Sequence, residues 1–357
     1  MIDINSILQI EPYSIGKEEK HKILSSILTE LTQHHIENCD SYRKILKSFS
    51  LDINKITNYY QIPFIPVRLF KSYDLLSINK SDIINTMRSS GTSSQIPSKI
   101  FIDRETSSHQ QKALVKIVSS FIGSKRFPML ILDAPPSIFR DRNSFSAREA
   151  GVLGFSIFAY NKIYALNEDM SLNIKEINEF LENHRDEDIL LFGFTYIIWK
   201  YIYPEFTKYK IDLSKAILFH GGGWKKLENE SVSSEEFKNK LFECCGIKRI
   251  HNYYGMIEQT GSIYIECEKG NLHSPLYSDI IIRRPIDFSV ADVGEEGIIE
   301  VVSILPKSYP GHVLLTEDRG MLLGEDDCPC GRLGKYFKVM GRLQNSEIRG
   351  CSDAYHQ

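Results

Sequence analysis

Apolar residues recur at intervals of three and four positions over several stretches of the chain, which predicts amphipathic helices. The clearest stretch lies within residues 17–50. Further stretches of this kind lie at 105–122, 174–184 and 234–243. Helices therefore make up a large part of the predicted structure.

Short apolar runs that end at turn residues lie between these helices, and this pattern predicts buried strands. They occupy 128–133, 188–193 and 216–220. Strands that alternate with helices indicate an α/β core with a largely parallel sheet. From about residue 262 the pattern changes to short alternating segments, which predict antiparallel strands. These segments are 279–284, 297–303 and 313–316.

The composition narrows the class of protein. The 357 residues are 42% hydrophobic and 25% charged, with a net charge of -3, so a broad basic surface for nucleic acid is not expected. The sequence contains no run of about 20 apolar residues, so no membrane-spanning helix is expected. Residues 1–5 lack the basic start of a signal peptide. We therefore expect a cytoplasmic protein with no nucleic-acid partner and no membrane span.

A loop rich in small hydroxyl residues surrounds a glycine near residue 90. Backbone N–H and hydroxyl groups in such a loop can surround phosphate oxygens, and Lys99 can add a positive charge. The spacing of a Walker loop is absent, and a Ser/Thr/Gly linker is the alternative. The Pro97-x-Lys99 ending favours the phosphate loop. The expected contacts are Ser89, Ser90, Gly91, Thr92, Ser93 and Ser94.

Later segments combine with this loop into one ordered pattern. Residues 221–223 are consecutive glycines after an apolar run, and residues 252–259 read Asn-Tyr-Tyr-Gly-Met-Ile-Glu-Gln. Residues 316–320 read Thr-Glu-Asp-Arg-Gly, and Gly-Arg follows at 341–342. In this order, the segments and residues 89–99 resemble the adenylate-forming superfamily, which includes acyl-CoA synthetases, aryl-CoA ligases and luciferases.

The resemblance implies ATP and Mg²⁺ as cofactors and a role for each segment. It implies that the glycine turn lines the adenine and acyl pocket, that Tyr254 stacks on adenine and that Glu258 holds Mg²⁺. It also implies that Asp318 binds the ribose hydroxyls and that Arg342 approaches ribose and phosphate. Ile257 stands where the superfamily has Thr, so a hydroxyl contact to the α-phosphate is not expected there. The implied cofactor-binding residues after the phosphate loop are Gly221, Gly222, Gly223, Tyr254, Gly255, Asp318 and Arg342.

Several segments resemble one branch of the superfamily, the LuxE-like acyl-protein synthetases. They are residues 65–71, 220–226, 254–259 and 346–353. The resemblance implies ATP-dependent activation of a carboxylic acid, in this family a fatty acid, to acyl-AMP. It then implies transfer to a protein cysteine as a thioester, and a partner enzyme, a reductase or transferase, that receives the acyl group.

The same resemblance implies the domain organisation. An α/β adenylate-forming large N-terminal domain, with parallel-rich sheets and a small antiparallel β part, is expected over 1–340. A short tail at 341–357 is expected to carry the acyl acceptor. Because the chain ends about 15 residues after Arg342, a C-terminal lid of about 100 residues is expected to be largely absent. Its catalytic lysine would then be replaced by Lys99, Lys225 or Lys226.

The tail contains the expected acyl acceptor, Cys351. In LuxE-like proteins a C-terminal cysteine in this setting carries the acyl group, and a nearby positive charge favours the thiolate that such chemistry needs. Arg349 lies two residues away, whereas Asp353 opposes its effect. Cys244 and Cys245 follow a helical stretch and are expected in the core.

Four further residues carry the chemistry of a zinc site. Three thiolates and one imidazole form a recognised tetrahedral set, although the Cys-x-Cys gap is tighter than usual. A similar set occurs in phenylacetate-CoA-ligase-like enzymes, so we expect a structural zinc that pins the terminal segment to the strand near residue 267. The alternative is ordinary reduced cysteines beside an unrelated histidine. The expected ligands are Cys267, His273, Cys328 and Cys330.

Two other functions are compatible with parts of the pattern. An aryl- or acyl-CoA ligase of the phenylacetate-CoA ligase type shares the phosphate loop and the cysteine cluster. A carrier protein that accepts an acyl group without activating it would explain the reactive cysteine, but it needs neither the phosphate loop nor Glu258. The expected catalytic residues are therefore Cys351, Glu258 and Lys99.

Overall fold

The computed structural model describes residues 3–49, 53–89, 97–136, 144–224 and 232–343. The predicted helices and strands are present, but the stretch within 17–50 forms two helices and the strand predicted at 313–316 extends to Glu325. The helices are α1 (Ile4–Ile7), α2 (Lys17–Asn38), α3 (Asp40–Lys47), α4 (Leu69–Ser72), α5 (Arg104–Ile122), α6 (Ala147–Phe155), α7 (Ile174–Asn183), α8 (Thr195–Ile197), α9 (Tyr203–Tyr209) and α10 (Ser234–Cys245). A π-helix, Ile198–Ile202, joins α8 to α9.

The strands follow the predicted change from parallel to antiparallel pairing. They are β1 (Ile65–Pro66), β2 (Asn85–Arg88), β3 (Lys99–Ile102), β4 (Phe127–Leu132), β5 (Ser144–Ser146), β6 (Ala159–Tyr164), β7 (Ile189–Phe194), β8 (Ala216–Gly221), β9 (Arg249–Tyr254), β10 (Tyr264–Glu266), β11 (Leu272–His273), β12 (Ser278–Arg283), β13 (Glu296–Ser303), β14 (Val313–Glu325) and β15 (Lys335–Arg342).

The chain divides into two compact units. The described residues of the first unit lie within 1–89, 95–123 and 255–347, and those of the second unit lie within 124–254.

Among the described helices, none has both the length and the apolar character needed to cross a membrane.

The second unit is built on a parallel sheet. Its strand order is β9-β8-β7-β4-β6, and each neighbouring pair is parallel. Every residue of β4, β7 and β8 is buried, as expected for central strands of a parallel sheet that is covered on both faces. This explains why these three strands appear in the sequence as continuous apolar runs.

The first unit contains the antiparallel sheet. Its strand order is β12-β13-β14-β15-β11-β10, and β1 pairs with β14 in parallel. Helix α2 contributes Leu24 and Leu28 to the core of this unit, where both are fully buried. Strands β2 and β3 pair antiparallel with each other and do not belong to this sheet.

A buried charge network fastens α2 to this sheet. The ammonium groups of Lys20 and Lys335 lie 3.4 and 2.7 Å from the two carboxylate oxygens of Asp279. Tyr59 donates to the same carboxylate at 2.5 Å. Burial alone would raise the pKa of Asp279, but the two ammonium groups hold it well below its usual value. A buried carboxylate with such partners stays ionised, and removing one partner would leave an uncompensated charge.

Candidate nucleotide and metal sites

The ends of the predicted phosphate loop are anchored by β2 and β3. Arg88 lies opposite Lys99 across these strands. The backbone N–H of Ser98 donates to Oγ of Ser89 at 2.8 Å, and the N–H of Ser89 donates to the carbonyl of Ser98 at 3.1 Å. The predicted contacts Ser90, Gly91, Thr92, Ser93 and Ser94 lie outside the described residues.

Lys99 starts β3, next to this loop. Its ammonium group lies 3.4 Å from a carboxylate oxygen of Asp74, and both side chains are partly exposed. An exposed pair of this kind contributes little to stability. Lys99 can therefore exchange this partner for a phosphate at small cost.

Strands β14 and β15 bring two predicted site residues face to face. Asp318 lies opposite Arg342 in the register, and Nε of Arg342 is 3.5 Å from Oδ1 of Asp318. An Nη of Arg342 also contacts Oε2 of Glu317 at 2.8 Å. Arg342 thus holds two neighbouring carboxylates and stays only partly exposed.

Arg68 completes this cluster. Its Nε lies 2.6 Å from Oε1 of Glu317, so the buried Glu317 carboxylate lies between two guanidinium groups. Glu317 can therefore orient Arg342, while the side chain of Asp318 remains 22% exposed. The sequence assigned no role to Arg68 or Glu317, because 249 positions separate them.

The backbone of β14 changes course where Asp318 lies. Thr316 donates its hydroxyl to the carbonyl of Ile299 at 2.7 Å and accepts the N–H of Asp318 at 3.1 Å. The register with β15 shifts just beyond, between Arg319 and Gly320. Bulges of this kind re-aim side chains, and here the bulge follows directly after the carboxylate expected to bind ribose.

Glu258 lies in a single 3-10 turn, Ile257–Gln259, and is 3% exposed. The side-chain amide of Gln259 holds the turn by donating to the carbonyl groups of Gly311 and Val301, at 2.8 and 3.2 Å. Burial, together with the charge of Glu258, raises the pKa of Tyr309. A carboxylate is the kind of oxygen ligand that Mg²⁺ prefers, so the side chain suits the role predicted for it.

The predicted glycine turn follows β8 in the second unit. A Cβ at Gly221 would lie 2.7 Å from the ring of Tyr253, and Gly222 has φ of +82°. Gly223 has open space where a Cβ would point. The packed ring of Tyr253 therefore leaves no room for a side chain at Gly221, while Gly222 and Gly223 are exposed.

The remaining nucleotide residues lie at the end of β9 and just after it. Tyr254 is the last residue of β9 and is partly exposed, as a ring that stacks on a ligand must be. Gly255 belongs to the first unit, and a Cβ there would lie 3.1 Å from Ile263.

The four predicted metal ligands come together in the first unit. Their ligand atoms all lie within 4.8 Å of one another, and Sγ of Cys330 is 3.3 Å from Nε2 of His273. Zinc–sulfur and zinc–nitrogen bonds of about 2.3 and 2.0 Å place tetrahedral ligands at such separations. Burial lowers the pKa of His273 to about 4, so its imidazole is neutral and able to bind a metal. The residues present therefore fit a zinc ion.

Two of these cysteines lie in turns of the same form. Gly270 donates its N–H to the carbonyl of Cys267, and Gly331 donates to the carbonyl of Cys328, each at 2.9 Å. Both glycines have positive φ, +77° and +81°, which other residues rarely adopt. Each turn leaves its cysteine sulfur inside the cluster, and the N–H of Lys269 donates to the sulfur of Cys267 at 3.4 Å.

Neighbours that the sequence did not reveal surround this cluster. The ring of Tyr13 meets His273 edge-on at 6.1 Å, and Tyr336 stacks on its face at 5.7 Å. Arg332 lies over the ring of Phe121 at 4.1 Å. No sequence pattern connects these residues with the cysteines, because the contacts arise only after the strands pair.

The predicted acyl acceptor, Cys351, lies outside the described residues, as do Lys225 and Lys226. Cys244 and Cys245 form the end of α10 rather than following it. Cys245 is buried as expected, but Cys244 is only half-buried, because the last helical turn places the two neighbouring residues on different faces.

Comparison with known proteins finds relatives that align over nearly the whole chain. The acyl-protein synthetase LuxE family matches residues 2–357. The long-chain-fatty-acid–luciferin-component ligase of Aliivibrio fischeri is 24% identical over 97% of this chain and 91% of its own. The protein of the same name from Vibrio harveyi is 22% identical over 96% and 89%.

The fold is also shared with solved structures. A 2-hydroxyisobutyryl-CoA ligase in the postadenylation state matches 94% of this chain and 70% of its own, with a TM-score of 0.69 and 15% identity. The α/β fold predicted from the sequence, that of the adenylate-forming ligases, is thereby confirmed. Because the family matches residues 2–357, this chain belongs to the acyl-protein synthetase LuxE family.

Proposed function

We propose that this protein is an ATP-dependent ligase that activates a carboxylic acid, in the first place a long-chain fatty acid, and transfers the acyl group to a cysteine. The observation that carries the proposal is the family match over residues 2–357. Two relatives that align over nearly the whole chain are named as ligases of long-chain fatty acids. The cluster of Asp318, Arg342, Glu317 and Arg68 supplies polar groups of the kind that a nucleotide needs.

In the first step, a carboxylate oxygen of the acid attacks the α-phosphorus of ATP. The bond to the β-phosphate oxygen breaks, so that acyl-AMP and pyrophosphate form. Asp318 would accept hydrogen bonds from the ribose hydroxyls, and Arg342, held by Glu317, would donate to ribose or phosphate. Lys99 and the loop at 89–94 would bind phosphate oxygens. Glu258 would hold Mg²⁺, which neutralises phosphate charge when bound.

In the second step, the thiolate of Cys351 attacks the acyl carbonyl carbon. The bond to the phosphate oxygen breaks, AMP leaves, and a thioester remains on the protein. The thiol proton passes to solvent or to a base. A partner enzyme, a reductase or a transferase, would then take the acyl group. This proposal assigns residues 1–340 to the adenylate-forming domain and 341–357 to the tail that carries the acceptor.

A metal ion bound by the four predicted metal ligands would stabilise the fold and take no part in the reaction. Four protein ligands leave no open position on a tetrahedral zinc ion, which is typical of structural sites. We therefore assign Cys267, His273, Cys328 and Cys330 a structural zinc.

Acid-dependent exchange of labelled pyrophosphate into ATP tests the first step. Glu258→Gln keeps the size of the side chain and removes its charge, and we expect the exchange rate to fall by roughly 10²–10³, the usual cost of losing one preorganised charge-stabilising group. Glu105→Gln is the matched control, because Glu105 is half-exposed and pairs with Lys307. Wild-type exchange in Glu258→Gln would show that this carboxylate has no role in adenylation.

Labelling of the protein from radioactive acid and ATP tests the second step. Cys351→Ser should retain pyrophosphate exchange and lose the hydroxylamine-sensitive label, whereas Cys244→Ser should retain both. Release of free acyl-CoA on addition of CoA, without a protein-bound label, would instead identify a CoA ligase. A protein that becomes labelled only from preformed acyl donors, without any exchange, would be a passive carrier.

A further inference from the structure

Trp199 and Trp224, the two tryptophans of the chain, meet in the second unit. Their ring centroids are 5.4 Å apart with the planes nearly perpendicular. Tyr203 stacks on Trp199 at 5.0 Å and 7°. Phe237 contacts both tryptophans, at 5.9 and 6.1 Å. Phe237 is fully buried, but the other three rings are partly exposed, so the cluster forms an apolar wall above the core.

The wall lies where a parallel sheet binds ligands. Trp199 follows the end of β7, and Trp224 follows the end of β8. These two strands are neighbours and run parallel, so their carboxyl ends lie at the same edge. Ligands of open α/β sheets bind at that edge.

The backbone beside the wall provides space. The π-helix Ile198–Ile202 interrupts the helix that carries Trp199, and such interruptions are frequent at functional sites. The exposed Gly222 and Gly223 immediately precede Trp224. A Cβ at Gly222 would meet only Phe194, at 3.6 Å, and one at Gly223 would meet nothing within 4 Å.

Two polar residues at the base of the wall, Thr195 and His220, carry no charge near neutral pH. Thr195 lies 2.9 Å from Nδ1 of His220, and its hydroxyl also reaches the carbonyl of Gly221 at 3.2 Å. His220 packs against Phe237 at 4.6 Å, and burial lowers its pKa to about 3. Aromatic rings above these two uncharged groups suit an alkyl chain.

We propose that Trp199, Tyr203 and Trp224 bind the alkyl chain of the acid and set the preference of the enzyme for long chains. This inference rests on the proposed function and adds the residues that select the substrate. The affinity for an acid rises with each methylene that the rings cover. The preference among acids should therefore follow the length of the alkyl chain.

Tryptophan fluorescence tests binding without ATP. Trp199→Phe and Trp224→Phe each leave one tryptophan as the reporter. Hexadecanoate should change the emission of the wild type and of both variants with a saturable curve, and butanoate should not at the same concentrations. Unchanged emission with hexadecanoate, in a wild type that activates this acid, would overturn the inference.

Chain-length profiles of pyrophosphate exchange test selection. Trp224→Ala should raise the KM for hexadecanoate about tenfold and leave that for butanoate unchanged. If the alanine variant does not fold, Trp224→Leu should shift the same ratio in the same direction. Tyr160→Leu is the control, because Tyr160 is an exposed aromatic residue on β6, at the far edge of the same sheet.

The outcomes separate the two proposals. No exchange with any acid in the wild type would overturn the proposed function, whereas the fluorescence titration would still test the wall. Exchange in the wild type, combined with equal losses for hexadecanoate and butanoate in Trp224→Ala, would overturn the wall alone.

Discussion

The sulfur of Cys330 lies 3.3 Å from Nε2 of His273, although 57 positions separate the two residues in the chain. Cys267 and Cys328 complete a set of four ligand atoms within 4.8 Å of one another. Two glycine turns and the neutral imidazole of His273 prepare these atoms for a tetrahedral ion. The first prediction follows from this arrangement.

Protein purified without a histidine tag should contain about one zinc ion per chain by atomic emission, as a full tetrahedral ligand set requires. Cys328→Ser should lose most of this zinc and lower the melting temperature, because three ligands hold the ion less tightly. Cys244→Ser is the control, since Cys244 is a half-buried cysteine of α10 in the second unit and is not one of the four predicted ligands. A wild type free of zinc after metal-replete expression would contradict the assignment.

Asp318→Asn should raise the KM for ATP about 10- to 100-fold in the exchange assay. Hydrogen bonds to charged groups contribute about 1.5–3 kcal/mol, and an amide offers one acceptor oxygen in place of two. Asp292→Asn makes the same chemical change at an 89% exposed side chain and should leave the KM unchanged. Equal KM values in the two variants would argue against ribose binding by Asp318.

Arg68→Gln should also raise the KM for ATP in the exchange assay, but by less than Asp318→Asn. Arg68 holds Glu317, which holds Arg342, so the loss acts through the position of Arg342. Arg68→Lys should restore part of the affinity for ATP, because it restores the charge beside Glu317. A variant that loses stability without any change in ATP affinity would leave Arg68 with a purely structural role.

Gly221→Ala should destabilise the protein by about 1–3 kcal/mol, the usual cost of forcing extra atoms into a packed interior. The new Cβ would lie 2.7 Å from the ring of Tyr253 and 2.9 Å from its carbonyl oxygen. Gly223→Ala, in the same turn, meets nothing within 4 Å and should be nearly neutral. Urea unfolding of both variants measures the difference, and equal midpoints would contradict the packing described here.

Acid should destabilise the first unit through a buried pair of histidines. The rings of His35 and His312 lie 4.7 Å apart, and both are almost inaccessible to solvent. Burial lowers the pKa of His312 to about 3 and that of His35 well below its usual value. In the unfolded chain the pKa of histidine is about 6.5. The unfolded state therefore binds more protons below that pH.

The stabilising contribution of the neutral pair is fully present above about pH 6.5 and decreases as the pH falls toward the folded pKa. Each histidine should reduce the free energy of unfolding by up to about 1.4 kcal/mol per pH unit in this range. His312→Gln should flatten the slope. Thr32→Val removes the hydroxyl that lies 2.9 Å from His312 but no titrating group, so it should keep the slope. Equal slopes in both variants would exclude His312 as a source of the effect.

The sequence predicted the regular core well, because that core depends on local patterns. The buried strands β4, β7 and β8 are continuous apolar runs, and helices α5, α7 and α10 have clear periodicity. Strand β14 was predicted only at 313–316 but extends to Glu325. Its middle contains Glu317 and Asp318, whose charges pair across the sheet, so the alternation that marks a strand is interrupted there.

The parts of the sites that the sequence revealed are those with distinctive chemistry. Cysteine and histidine are strong metal ligands, and the predicted set of four is the set that comes together. Contacts between common residues gave no such signal. The pair of Arg68 and Glu317 and the wall of Trp199 and Trp224 depend on which strands lie side by side, which no short segment encodes.

Strand β11 consists of two residues, Leu272 and His273, yet it connects β10 to β15 in the sheet of the first unit. Two residues can form too few ladder hydrogen bonds to hold such a junction alone. Because His273 is also one of the four predicted metal ligands, an ion bound there would close a loop of 57 positions, a constraint that is worth about 4 kcal/mol for a covalent crosslink of that length. The metal would then crosslink the sheet at β11. Once a chelator removes the metal, the β11–β15 pairing should be the first to open in native-state hydrogen exchange.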